Sequence, residues 1–128
     1  MIDSGLTGRV AIVTGANHGI GAAIAVALAA ESARVLVTYL RQTPNVYGET
    51  AESDRDASVP GRAFYCREIG QSAARVVQAV RAKGAECIEW EADLTDPATI
   101  PALFERAEVA WGQVDIVVNN AAFDSPDT

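Results

Sequence analysis

Val13-Thr14-Gly15-Ala16-Asn17-His18-Gly19-Ile20-Gly21 is the stretch that decides the fold of this 128-residue chain. Its three glycines form a turn directly after an apolar run, Val10 to Val13, and directly before an Ala-rich segment. A continuous apolar run fits a strand buried on both faces of a parallel sheet. Glycines let a backbone approach phosphate oxygens without a clashing Cβ. The free N–H groups and positive dipole end of the helix that follows then face the anion. Strand, glycine turn and helix together are the arrangement a nucleotide diphosphate needs. The spacing is G-x-x-x-G-x-G, not the G-x-G-x-x-G of the general dinucleotide fingerprint. Taken alone, such a turn also fits tight strand–helix packing with no ligand.

Outward from the turn, the pattern alternates. Arg9 to Thr14 reads as the first strand, and Gly19 to Ser32 as a helix with Ile24 and Leu28 at i, i+4. Arg34 to Tyr39 reads as the second strand. From about 42 to 67 the chain turns polar and is punctuated by Pro44, Gly48, Pro60 and Gly61, so an insertion is expected there, either a surface loop or a lid over a ligand. Helical periodicity returns with Ala73, Val76, Val77 and Val80 and stops at Gly84. Glu86 to Ala92 is the third strand. Asp96-Pro97 opens a helix whose face is Ile100, Leu103, Phe104, Ala107 and Trp111, with Pro101 marking an irregular first turn or the start of regular helix. Val114 to Asn119 is the fourth strand. The fold class predicted is α/β, one Rossmann-type doubly wound parallel sheet ending after its fourth strand, with order 3-2-1-4.

Composition agrees with a single packed domain. Hydrophobic residues make up 49% of the chain, and 128 residues are too few for two domains. The net charge of −7 with scattered positive residues argues against nucleic-acid binding. The longest apolar run, about 19 to 30, is too short to span a bilayer, and the N-terminus lacks the regions of a signal peptide. Cys66 and Cys87 have no metal-ligand spacing and read as free thiols in a reducing cytosol, so a cytoplasmic location is expected.

The turn Thr14-Gly15-x-x-x-Gly19-x-Gly21, Asp93-Leu94 after the third strand, and Asn119-Asn120-Ala121-Ala122 after the fourth fall in an order that resembles the short-chain dehydrogenase/reductase family. The resemblance covers nearly the whole chain apart from the 42–67 segment, and it implies a Rossmann sheet that binds NAD or NADP. By that resemblance Gly15, Asn17, His18, Gly19, Ile20 and Gly21 form the cofactor-binding turn. Asp93 accepts from the adenine amine while the Leu94 N–H reaches a ring nitrogen, although Asp-Leu-Thr-Asp-Pro also fits a strand end and helix cap. Asn119 braces the glycine turn, the 119–121 backbone lines the adenosine ribose, and Asn120 either shares that role or stabilises a turn. Ala122 stands where the family usually has glycine; its added Cβ is small, enough to crowd the cofactor but not to abolish binding.

Cofactor choice turns on the end of the second strand, where an acid would favour the ribose 2′-OH of NAD. Thr38 stands at about that point, and Arg41 offers a planar fork of donors to a phosphate. NADP(H) is therefore favoured over NAD(H), with His18 either near the 2′-phosphate or simply exposed.

The family transfers hydride between nicotinamide and a carbonyl or alcohol, using a tyrosine, a lysine four residues later and a serine. Here Tyr39, Tyr47 and Tyr65 are followed at +4 by Thr43, Ala51 and Ile69. The expectation is the cofactor-binding half of an NAD(P)-dependent oxidoreductase of small-molecule carbonyls or alcohols, inactive alone. The alternatives are a non-catalytic dinucleotide-binding module or an inert truncated product. With no fifth strand, Val114 to Val118 would leave an apolar edge open to self-association.

Overall fold

In the computed structural model, residues 3–41 and 72–121 are described. The 42–67 segment and Ala122 lie outside them. Four parallel strands, β1 (Val10–Thr14), β2 (Arg34–Tyr39), β3 (Cys87–Glu91) and β4 (Ile116–Val118), form one sheet in the order β3-β2-β1-β4. Among the described residues three helices connect or flank them: α1 (Gly19–Ala30), α2 (Ala74–Ala82) and α3 (Thr99–Trp111). The predicted order is the observed one.

Strand alternation divides the core in two. Val13, Val35, Val37 and Tyr39 face α1 and α2, meeting Ala25, Ala29, Val76, Val77 and Val80. Val10, Ile12 and Leu36 face the other way, onto Leu103 and Ala107 of α3, with Trp90 and Phe104 packed at the margin. Alanines on α1 let that helix lie close to the sheet. Burial on both faces explains why β1 and β2 read as nearly unbroken apolar runs.

Helix ends follow local chemistry. At the end of α1 Ser32 takes φ +67°, the left-handed conformation usual just past a helix, and its N–H donates to the Ala29 carbonyl at 2.9 Å. Regular α3 starts at Thr99, two residues before Pro101. The proline thus falls in the first turn, where its missing N–H leaves no helical bond unmade. β4 is shorter than the predicted 114–119. Asp115 nevertheless continues the pairing: its N–H donates to the Val10 carbonyl at 2.9 Å and its Oδ2 accepts from the Val10 N–H at 3.0 Å. Arg9 adds an ion pair to Asp115 at 3.5 Å.

Cys87 is buried on β3, and burial pushes its thiol up to about 11, so the sulfur stays protonated at neutral pH. Cys66 lies outside the described residues. Among the described residues no helix is long and apolar enough to cross a membrane, and no group of His, Cys, Asp and Glu could hold a metal ion.

Candidate functional site

The order β3-β2-β1-β4 reverses direction between β1 and β4. In open parallel α/β sheets the crevice at such a switch point, outside the carboxyl ends of the strands, is where ligands sit. The glycine turn occupies that place, leaving β1 at Thr14 and entering α1 at Gly19. Gly15 (φ +63°) and Gly19 (φ +57°) both need the left-handed region. Open space lies where a Gly19 Cβ would stand, so this part of the turn can be approached from outside. Gly21 is needed for a different reason. A Cβ there would stand 2.3 Å from the Gly15 carbonyl oxygen and 2.6 Å from Asn120 Nδ2.

Thr14 is the hub that joins the turn to the end of β4. Its Oγ1 accepts from the N–H groups of Asn120 and Ala121, both at 2.9 Å, and donates to the Val118 carbonyl at 3.3 Å. One donor and two acceptor sites are the full capacity of a hydroxyl. Thr14 is itself buried, and these bonds are part-buried, with half-buried Asn120 and exposed Ala121 as partners. Nothing in the spacing of the turn assigns Thr14 this role. A polar residue ending an otherwise apolar buried strand was the available signal.

The brace on the turn is not Asn119, which is exposed, but Asn120. Its Nδ2 donates to the Gly15 carbonyl at 3.2 Å. Neighbouring residues at a strand end point in opposite directions, so adjacent asparagines cannot exchange roles. Ala121 comes close enough that a Cβ on Gly15 would sit 3.0 Å from its Cα. Asn17 is buried in the turn, and half-buried His18 precedes α1 in an extended conformation, its side chain making no cap to the helix. Ile20 is 73% exposed, a large apolar side chain presented to solvent beside the turn.

At the end of β2 the structure corrects one expectation. Thr38 pairs with Thr14 on one side and Trp90 on the other, and its side chain is fully buried. It shares the Leu36 face of the strand, so it cannot reach a ribose at the rim. Its Oγ1 has no hydrogen-bond partner among the described residues. Its carbonyl does meet the turn, accepting from the Ala16 N–H at 3.2 Å.

Arg41 does stand at the rim, 20 residues after Gly21, where a ribose-reading residue is expected. It is engaged by Glu91, the last residue of β3. Glu91 Oε1 accepts from Nη2 at 2.9 Å, Oε2 accepts from Nε at 3.1 Å, and Oε2 also takes the Arg41 backbone N–H at 2.8 Å. The hydrogen bonds lower the Glu91 carboxyl from its ordinary value and raise the Arg41 guanidinium. Both groups are at the surface, so solvent screens the pair. Glu91 was missed in sequence, since a glutamate ending a strand looks like any solvated charge.

Asp93 follows on the same rim. Its Oδ1 accepts from the Thr95 N–H at 2.9 Å and from Thr95 Oγ1 at 2.7 Å, which holds its carboxyl below the usual value. Thr99 Oγ1 donates to the Asp93 carbonyl at 2.8 Å. The turn that leads into α3 is therefore built on Asp93. Oδ2 takes no part in these bonds and the residue is exposed, so a cap and a ligand contact are compatible here. Leu94 is half-buried against the α3 side of the core. The structure thus gathers the glycine turn, Asn120–Ala121, Arg41, Glu91 and Asp93 along the carboxyl ends of four adjacent strands. Exposed N–H groups, a helix N-terminus and one arginine suit this edge to a phosphorylated, ribose-containing ligand.

Comparison with known proteins agrees with this geometry. The sequence model of the short chain dehydrogenase family matches residues 54–128. Versicolorin reductase stcU of Emericella nidulans is 33% identical over 120 residues, covering 94% of this chain and 35% of that protein. NADPH-dependent aldehyde reductase 2, chloroplastic, of Arabidopsis thaliana is 36% identical over 129 residues, covering 95% of this chain and 39% of that protein. Among solved structures, a short chain dehydrogenase from Mycobacterium paratuberculosis bound to NAD superposes with a TM-score of 0.69 at 27% identity, over 94% of this chain and 39% of that one. The chain therefore spans well under half the length of these relatives. Its sheet order, its glycine turn and these matches together place it in the short chain dehydrogenase family.

Proposed function

We propose that this chain is the dinucleotide-binding portion of an NAD(P)-dependent oxidoreductase that moves hydride between nicotinamide and a small-molecule carbonyl or alcohol. The observation that carries the reading is the braced turn at the switch point. Thr14 and Asn120 fix it from β4, and it opens directly into the N-terminus of α1. Gly15, Asn17, Gly19, Ile20 and Gly21 take the pyrophosphate side. Ala121 lines the ribose, Asp93 and Leu94 take the adenine, and Arg41 meets a 2′-phosphate. NADP(H) is favoured over NAD(H), in keeping with the NADPH-dependent name of one relative, although the solved neighbour carries NAD. Bound nicotinamide supplies the hydride chemistry. The chain's own residues bind and orient the dinucleotide, and none of its three tyrosines has a lysine four residues on.

The test is calorimetric titration of the purified chain with NADPH and NADH. Saturable binding of both, NADPH the tighter, is the expected outcome. No saturation with either at millimolar concentration overturns the reading.

We also propose that the chain self-associates through β4, in a cytoplasmic setting. Among the described residues β4 pairs with β1 alone, and Val117 is 43% exposed on it. An apolar strand edge is a template for another strand. Light scattering should give a mass that rises with concentration. A constant monomer mass at high concentration would sink the proposal.

A further inference from the structure

Resting on the dinucleotide reading, the geometry points to Glu91 as a specificity-determining residue that holds down the preference for a 2′-phosphate. Arg41 is the one positive side chain described at the carboxyl ends of β2 and β3, and Glu91 occupies it along one whole edge. A guanidinium has five N–H donors in a fixed fork. Glu91 takes the Nε and Nη2 edge, and a phosphate would meet the remaining Nη1 edge. Both anions then share one cation, and the carboxylate lies within a few ångströms of the incoming phosphate. Like charges at that separation disfavour each other.

Charge counting at the rim agrees. Arg41 and Glu91 cancel, and Asp93 on the same rim adds a further negative charge. The bidentate pair and the bond from the Arg41 N–H show that Glu91 is a fixed neighbour of Arg41 rather than a passing one. A ribose 2′-OH is neutral and feels little of this. The carboxylate therefore penalises NADP(H) selectively and leaves NAD(H) nearly untouched, so that the natural chain accepts both with a modest preference.

Glu91→Gln isolates the charge. The amide oxygen, placed where Oε2 stands, keeps the bonds from the Arg41 N–H and Nε and gives up the one from Nη2, while the competing anion is gone. Binding of NADPH, NADH and adenosine 2′,5′-bisphosphate to the full chain is measured by calorimetry, with circular dichroism confirming the fold of each variant. The Glu91→Gln chain should bind NADPH and the bisphosphate about fivefold tighter, with NADH changed by less than about twofold. Arg41→Gln should bring NADPH down to the affinity of NADH. An NADPH-to-NADH ratio that stays the same or falls in Glu91→Gln overturns the inference while leaving the dinucleotide reading intact. Failure of the natural chain to bind any of the three overturns both.

Discussion

Gly21→Ala should lower the unfolding free energy by about 3 kcal/mol, the upper part of the range for forcing one extra carbon into a packed site. The new Cβ would stand 2.3 Å from the Gly15 carbonyl oxygen and 2.9 Å from its carbon. Both are backbone atoms, so no side chain can swing aside. The third neighbour, Asn120 Nδ2 at 2.6 Å, is the brace itself, and moving it breaks its bond to the same carbonyl. Relief requires α1 to back away from β1, which opens the alanine-lined contact that lets helix and sheet lie close. Gly19→Ala is the internal comparison. Open space surrounds that position, and only its φ of +57° is unfavourable to alanine, at a cost of about 1 kcal/mol. Urea denaturation of the two variants should place Gly21→Ala well below Gly19→Ala. Equal midpoints would show that the turn yields freely and that the contact at Gly21 does not constrain it. On the dinucleotide reading, Gly21→Ala should also lose NADPH binding, because the turn that presents the N–H groups has shifted.

The contrast between these glycines marks the limit of what the sequence could tell. Spacing alone located the turn, and the apolar runs on either side of it located β1 and β2, because a strand buried on both faces needs apolar residues at every position. For the same reason the sequence could not say which face each residue of β2 takes. Val35, Leu36, Val37, Thr38 and Tyr39 carry no polar alternation, so Thr38 looked free to face a ribose although it is buried. The paired asparagines posed a similar problem. Asn119 and Asn120 are chemically identical, and only the point where β4 ends decides which one turns toward Gly15. The Arg41–Glu91 pair spans 50 residues and depends on the register that sets Tyr39 against Glu91, which no local pattern encodes. Elements with a local signal were legible, then, and contacts fixed by register between distant strands were not.

The Thr14 hub is such a contact, and Thr14→Val should cost about 2 kcal/mol. Valine has nearly the shape of threonine, so packing in the buried strand end is preserved and the loss is of hydrogen bonds alone. The Ala121 N–H loses its 2.9 Å acceptor outright. The Asn120 N–H keeps only its 3.1 Å approach to the Val118 carbonyl, and that carbonyl loses the hydroxyl donor. A part-buried N–H without a partner carries its desolvation cost uncompensated, which is why removing one side of such a bond costs more than forming it contributes. The end of β4 should then loosen where it passes the glycine turn. Amide hydrogen exchange at Asn120 and Ala121 should speed up by more than at Val13 in the centre of the sheet. Thr14→Ser keeps the hydroxyl and should restore the slow exchange, giving up only about 1 kcal/mol for the missing methyl. If valine instead matched the natural chain in both urea midpoint and exchange, the hub would not hold β4 to β1. The turn would then depend on Asn120 alone.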